Sequence, residues 1–135
     1  MSGVPERLRN ISQFEFYNTA IAIRVAVTQV VTHRVPKSYR FTFAQPMALT
    51  ARSMVYNIVT ADAFYPNTQE NVSARKRYLT LAIADCEQLY QDLQCMMATG
   101  LPITAASLDA LNEMLDAEIN LLKGARKGVK LIGKG

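Results

Sequence analysis

The stretch that decides the fold is residues 79–96, LTLAIADCEQLYQDLQCM. Its apolar side chains recur at alternating spacings of three and four residues, the period of one face of an α-helix. Those positions are Leu79, Ala82, Cys86, Leu89, Leu93 and Met96. A helix with such a seam buries it against other helices, so the pattern predicts a bundle helix. We expect this helix to begin near Thr68 and to end before Gly100.

Two other segments carry the same helical period. Residues 42–65 repeat apolar side chains at positions 47, 51, 54, 58 and 61. Thr42, followed three residues later by Gln45, is the predicted capping box of this helix. A further helix is predicted to begin at the N-cap Thr104 and to end at Gly124.

Residues 14–34 fit two patterns. Apolar side chains alternate along 21–27 as in a strand, but they also recur at helical spacing from Phe16 to Val30. The apolar pattern is about three times longer than an ordinary strand, so we predict a helix that ends before Pro36. Its single internal charge is Arg24. A helix that is apolar on most sides is usually covered on more than one side, which favours contact with another subunit.

Four helices with short connections predict an all-α, up-down-up-down four-helix bundle. We place the bundle at residues 14–124, preceded by a loose leader at 1–13. Residues 125–135, ARKGVKLIGKG, are predicted to form a basic flexible tail.

The composition limits where the chain works. No apolar run reaches the ~18 residues of a membrane span, and the first residues lack the basic-then-apolar order of a signal peptide. We therefore expect a cytoplasmic protein with no membrane partner. Cys86 and Cys95 would lie on opposite faces of one helix, roughly 13 Å apart along its axis, so no disulfide joins them.

The motifs that mark common enzyme and metal sites are missing from the sequence. There is one histidine, His33, no Cys-x-x-Cys pair, no Glu-x-x-His pair and no phosphate-binding loop motif. Cys86 lies on the predicted core seam, where a buried thiol is the simpler interpretation than a nucleophile. The acids of the fourth helix are interpreted as a solvated face. We predict no enzyme activity, no metal and no cofactor.

Charge is segregated along the chain, whose net charge is +4. There is no acid from Phe16 to Ala61, no base from Tyr78 to Leu122, and no acid from Lys123 onward. Basic side chains pair with phosphate, and an aromatic ring stacks on a base. The predicted nucleic-acid-binding residues are Arg34, Lys37, Tyr39 and Arg40 in one turn, Arg75, Lys76 and Arg77 in the third helix, and Lys123, Arg126, Lys127 and Lys130 in the tail. The alternatives are an ordinary solvated turn for the first group, solubilising charge for the second, and a solubilising or membrane-surface tail for the third.

Three stretches carry a resemblance to a known family. They are PKSYRFTF at 36–43, the small-residue helix LTARSMVYNIVTA at 49–61, and RKRYL at 75–79. Together they resemble the four-helix-bundle family of Avd, the accessory variability determinant of diversity-generating retroelements. The same superfamily includes proteins encoded in intervening sequences of ribosomal RNA genes.

The resemblance implies a barrel-shaped homopentamer that binds RNA or DNA and a reverse transcriptase, supporting mutagenic cDNA synthesis and retrohoming without catalysis. It assigns nucleic-acid contacts to Lys37, Arg40 and residues 75–77. The acidic region from residue 85 to 118 departs from a uniformly basic surface and suits a partner of opposite charge. The alternatives are an intervening-sequence-type protein and a helical adaptor, both without a reverse-transcriptase partner.

Overall fold

The structure is a computed structural model that describes Glu6 and residues 10–133. Four α-helices make up most of it: α1 Glu15–His33, α2 Gln45–Ala63, α3 Gln69–Thr99 and α4 Ala105–Lys127. No strand occurs among the described residues. The prediction of an all-α chain is confirmed, and residues 14–34 are helical despite their alternating pattern.

The four helices pack in a cycle, each against the next and α4 against α1. Hydrogen bonds between the helices give their directions. On the α2–α3 side they join Ser53 to Asp85 and Arg75 to Phe64. Between α3 and α4 they join Tyr90 to Asp116 and Arg126 to Thr80. In both helix pairs the residue number on one helix rises as the number of its partner on the other helix falls, so these neighbouring helices are antiparallel. One cavity is lined by both Phe16 and Ala125, and another by both His33 and Ser107. The start of α1 therefore lies beside the end of α4, so this pair is antiparallel too. The predicted up-down-up-down four-helix bundle is confirmed for a single chain.

The core lies on the predicted seams. All six seam residues of α3, from Leu79 to Met96, are buried, and so is the apolar repeat of α2. The apolar stripe of α4 is buried as well, at positions 108, 111, 115, 119 and 122. Full burial of one leucine side chain contributes about 1.5–3 kcal/mol. The contiguous core is therefore the main source of stability, and Cys86 forms part of it as a free cysteine. Cys95 is exposed and also free, which agrees with the prediction that the two cysteines lie on different faces of one helix.

Caps define the ends of α3 and the start of α4. The Oγ1 atoms of Thr68 and Thr104 accept hydrogen bonds from the backbone N–H groups of Asn71 and Ser107, at 3.1 and 3.2 Å. Gly100 ends α3 with a φ of 86°, a left-handed conformation that costs glycine little. These three predictions are confirmed.

The predicted capping box at Thr42 is wrong. The chain forms a 3₁₀ turn at Lys37–Tyr39 and a π-helical turn at Arg40–Ala44, which continues into α2 at Gln45. Thr42 therefore lies inside a helical turn. The first N–H groups of α2 already face carbonyls of this turn, so they need no side-chain cap. The helix ends at Ala63, two residues before the predicted end.

The predicted boundaries at both ends of the bundle are also wrong. Gly124 lies inside α4, which continues to Lys127, and Val129 is only 8% exposed. The N–H of Ile132 donates to the carbonyl of Pro66 at 2.9 Å. Packing thus outweighs the roughly 1 kcal/mol that a helix-interior glycine costs, and residues 125–133 belong to the bundle. Residues 134–135 lie outside the described part of the chain.

The predicted loose leader differs in the same way. Residues Ile11–Gln13 form a 3₁₀ turn, and the Ile11 side chain is buried in the core. The prediction for residues 1–5 and 7–9 concerns positions outside the described residues.

Candidate nucleic-acid interface

A hydrogen bond between α3 and α4 fixes how two of the predicted basic groups meet. Nη1 of Arg126 donates to Oγ1 of Thr80 at 3.1 Å, and that hydroxyl donates to the carbonyl of Lys76 at 2.9 Å. Residues 76–80 of α3 therefore lie beside residues 123–127 of α4. The helix pairing brings the third-helix group and the predicted tail group to one end of the bundle.

We call this surface the basic end; its members are Lys76, Arg77, Lys123, Arg126, Lys127 and Lys130. All are exposed except Arg126, which is half-buried through its contact with α3. No acidic residue occurs in residues 71–84 or in residues 119–135. The positive charges of the basic end therefore have no carboxylate in their own stretches of α3 and α4, and they remain available to phosphate.

Arg77 is held in position by aromatic rings. Its guanidinium lies over the ring of Tyr78, 5.5 Å from the centroid and within the ~6 Å reach of a cation–π contact. That ring in turn stacks on Phe64, with centroids 5.7 Å apart and planes within 10°. The stack restricts the mobility of Arg77 while leaving its charge exposed.

Arg75 is placed differently from its two neighbours. Its Nη2 atom lies 3.6 Å from the Asp62 carboxylate, and Nη1 donates to the Phe64 carbonyl at 3.1 Å. The side chain is 21% exposed. Successive helix positions are about 100° apart, and this places Arg75 against the connection between α2 and α3. Arg75 holds that connection, so we do not include it in the basic end.

The turn group lies at the opposite end of the bundle. Arg34, Lys37 and Arg40 are exposed where α1 ends, about 28 Å from its start. Tyr39 is half-buried and packs on Phe43, with centroids 6.0 Å apart. The structure therefore does not bring this group together with the other two.

The exposed ring of the turn is Phe41, which the sequence reasoning missed. It is 74% exposed, and the guanidinium of Arg40 lies 5.1 Å from its centroid. The π-helical turn explains the placement, because it buries Phe43 and directs Phe41 outward. The alternation of phenylalanines in RFTF is the only sequence signal that one ring would be exposed.

Farther from the basic end, the second half of α3 and the first half of α4 carry acidic side chains. The exposed acids of this half are Glu87, Asp109, Glu113 and Asp116. Oη of Tyr90 donates to Asp116 at 2.7 Å across the α3–α4 contact, and this hydrogen bond raises the pKa of Tyr90. The α3–α4 surface thus changes sign along its length.

Asp85 faces α2 instead of solvent. Its Oδ2 atom accepts hydrogen bonds from Oγ of Ser53 at 2.8 Å and from Nδ2 of Asn57 at 2.9 Å. Burial raises the pKa of Asp85, and the two hydrogen bonds oppose that rise. The carboxylate joins two helices and does not contribute to the acidic surface.

Glu118 contradicts the interpretation of the α4 acids as a solvated face. Its side chain is 0% exposed, and neither carboxylate oxygen has a hydrogen-bond partner among the described residues. Burial raises the pKa of Glu118 to about 8, and the charge of Glu15 adds to the rise. The sequence contained the signal, because positions 111, 115, 118 and 122 follow the core spacing of α4.

The thiol of Cys86 is unsuited to nucleophilic attack. Its Sγ atom lies 3.3 Å from Sδ of Met54 in the core. Burial raises the pKa of Cys86, and Glu118 and Asp85 add to the rise. The thiol therefore stays protonated at neutral pH. Among the described residues, no group of three or more His, Cys, Asp or Glu side chains is arranged to hold a metal ion.

Two comparisons with known proteins bear on the chain. No protein-family model matches the sequence. No curated protein matches it either. Within residues 10–133, none of the helices combines the length and the apolar character needed to cross a membrane.

Proposed function

We propose that this protein is a non-catalytic, nucleic-acid-binding accessory protein of a diversity-generating retroelement. In this proposal the basic end binds the phosphates of RNA or DNA, the chain assembles with copies of itself, and a reverse transcriptase is its protein partner. The nucleic-acid part is supported by the geometry. The retroelement and the polymerase follow from the resemblance to the Avd family.

The observation that carries the proposal is the assembly of the basic end from two distant stretches. Residues 76–77 and 123–130 are 46 or more residues apart in sequence, yet the Arg126–Thr80 hydrogen bond joins their helices. Six cations from two acid-free stretches of sequence form a local positive field at this end, although the rest of the chain is close to neutral. Phosphate contacts of this kind supply most of the affinity of sequence-independent nucleic-acid binding.

The outer side of α1 supports self-association. Between Phe16 and Thr32 the only charged residue is Arg24, and Val25 is 52% exposed. Ala22, Thr28 and Gln29 complete an exposed surface that is uncharged apart from Arg24. A helix face with little charge and exposed aliphatic side chains is typical of an interface between subunits. The homopentamer implied by the resemblance would use this face.

The acidic half of α3 and α4 supports a basic protein partner. Its carboxylates repel nucleic acid, so this half is unsuited to the role of the basic end. A polymerase that binds nucleic acid carries positive charge, so its surface is complementary in charge to this acidic half. A gene for a reverse transcriptase beside the gene for this chain is expected; its absence favours the intervening-sequence-type protein or the adaptor.

The test is a salt titration of binding to fluorescent single-stranded RNA and duplex DNA. One variant replaces Lys123, Lys127 and Lys130 with Gln, and its matched control replaces Arg34, Lys37 and Arg40 with Gln. Both remove three charges, at opposite ends of the bundle. We expect the first to reduce the slope of log K against log salt on duplex DNA by up to about 3, and the control to change it less.

Two results would count against the proposal. Equal losses in the two variants would mean that net charge, not the basic end, drives binding. Absence of binding by the unaltered chain at low salt would favour the adaptor, and the search would then turn to a partner for the acidic half.

A further inference from the structure

A cavity of about 530 Å³ opens at the same end of the bundle as the basic end. It lies where the start of α1, the end of α2, the first half of α3 and the end of α4 meet. Ile58, Leu79, Leu121 and Val129 supply apolar walls, and Asp62, Arg75 and Lys130 supply polar atoms. This volume and this mixture of linings are within the range of small-ligand sites in proteins.

Two aromatic rings border the cavity. Phe14 and Phe16 stack with centroids 5.1 Å apart and planes within 16°. Phe14 precedes α1 and is 44% exposed, so part of its ring remains uncovered beside the cavity. An exposed ring at the mouth of an apolar cavity is a stacking surface for a flat apolar ligand.

The cavity is continuous with the basic end. Lys130 belongs to both, and Ala125 and Gly128, which also line the cavity, flank Arg126 and Lys127 in the chain. The wall formed by the last residues is anchored, because Val129 is buried and Ile132 bonds to Pro66. A ligand in the cavity would therefore lie close to positively charged side chains. A nucleotide fits this arrangement, because its base would occupy the cavity while the phosphates beside the base contact the cations.

The charge at the cavity also selects among flat ligands. The Asp62 carboxylate pairs through Oδ1 with Arg75, is 34% exposed and keeps acceptor capacity beside the apolar walls. Carboxylates accept hydrogen bonds from the exocyclic amino group of cytosine. A fatty-acid carboxylate would pair with the neighbouring cations, but at neutral pH it has no hydrogen-bond donor for the Asp62 carboxylate.

We propose that this cavity receives one unpaired base of a single-stranded nucleic acid, stacked on Phe14, while the adjacent phosphates lie on the basic end. The inference rests on the proposed function and deepens it, since it names single strands as the substrate class. In a duplex the bases are paired and stacked on one another, so a duplex can use the basic end but not the cavity.

The experiment compares two fluorescent oligomers of twelve nucleotides with the full-length chain at moderate salt. One is oligodeoxycytidylate, and the other is an abasic deoxyribose-phosphate oligomer with the same number of phosphates. A stacked base raises affinity by about 5- to 150-fold, so we expect oligodeoxycytidylate to bind at least fivefold more tightly. Equal affinities would overturn base insertion and leave the proposed function intact. No binding of either oligomer would overturn both.

Substitutions locate the effect. Phe14→Ala is expected to bring the affinity for oligodeoxycytidylate down to that for the abasic oligomer, whose binding stays unchanged. Phe14→Tyr, which keeps the stacking ring, is expected to restore the difference even if the alanine variant is poorly folded. Phe41→Ala is the matched control, because it removes an exposed ring at the opposite end. Loss of the base effect in the Phe41 variant, or its persistence in Phe14→Ala, would overturn the proposal.

A competition measurement excludes the other occupant. Saturable binding of decanoate that oligodeoxycytidylate fails to displace would assign the cavity to an aliphatic ligand and overturn the proposal. Displacement of bound decanoate by oligodeoxycytidylate, but not by the abasic oligomer, would support it.

Discussion

Replacing Glu118 with Gln tests whether the core of the bundle holds a proton at neutral pH. The ordinary pKa of this carboxyl group is 4.5, and burial raises it to about 8. Between these values the folded chain keeps a proton that the unfolded chain has released. The free energy of unfolding therefore falls as pH rises, by about 1.36 kcal/mol for each pH unit. From pH 5 to pH 7.5 the fall attributable to Glu118 is about 3 kcal/mol.

The assay is urea unfolding followed by circular dichroism at several pH values across this window. Glutamine has nearly the same shape and stays neutral, so Glu118→Gln removes this contribution to the slope. All other titrating groups contribute equally to both proteins, so the difference between their curves isolates Glu118. Any constant cost of burying the amide changes the offset of the curves and not their slope. Glu113→Gln, on the exposed side of the same helix, is the control and should leave the slope unchanged.

Parallel curves for the unaltered chain and Glu118→Gln would refute the reasoning. They would mean that Glu118 has the same charge in the folded and unfolded chain, and therefore that a cation or solvent reaches it in the folded protein. A slope removed equally by Glu113→Gln would refute it as well.

The remaining predictions concern caps, an interhelical contact and the thiols. Thr104→Ala should lower the free energy of unfolding by about 1 kcal/mol, because it removes the α4 cap. Thr42→Ala should change the free energy of unfolding by less than about 0.5 kcal/mol, because Thr42 is not a cap. Equal losses of the two variants in urea unfolding would contradict this. Asp85→Ala should cost about 1–3 kcal/mol, because it leaves a mostly buried α2 amide without its acceptor, and an unchanged thermal midpoint would contradict this. A maleimide followed by mass spectrometry should label Cys95 in the folded chain and Cys86 only in urea, and simultaneous labelling would contradict the buried, protonated thiol.

The elements predicted correctly depend on nearby residues. Thr68 and Thr104 cap the N–H groups three residues ahead of them, and Gly100 adopts its own left-handed turn. The α3 seam repeats without a break for 18 residues. Such signals are contained in a single stretch of sequence, so they need no knowledge of the other helices.

The predictions that were wrong depend on contacts between distant segments. Thr42 resembles a cap in sequence, but a π-helical turn extends the helix through it. Gly124 resembles a helix end, but the burial of Val129 and the bond from Ile132 to Pro66 keep the chain on the bundle. Tertiary packing decides both cases, and the local sequence does not record it.

The candidate site was predicted only in part for the same reason. The basic residues are visible in the sequence, but the register of α3 on α4 determines which of them meet. Arg75 could not be separated from Lys76 and Arg77 without its partner Asp62. Glu118 was assigned to solvent on polarity alone, although its position in the helical period is that of a core residue.

The anchoring of the last residues changes how the C-terminus should be mapped. Deleting everything after Leu122 removes five positive charges, but it also removes the final turn of α4, a buried valine and one wall of the cavity. A truncated chain that fails to bind nucleic acid would therefore report lost folding as readily as lost charge. Charge-neutralising substitutions at exposed lysines separate the two, and an affinity tag is better placed where it leaves Val129 and Ile132 seated.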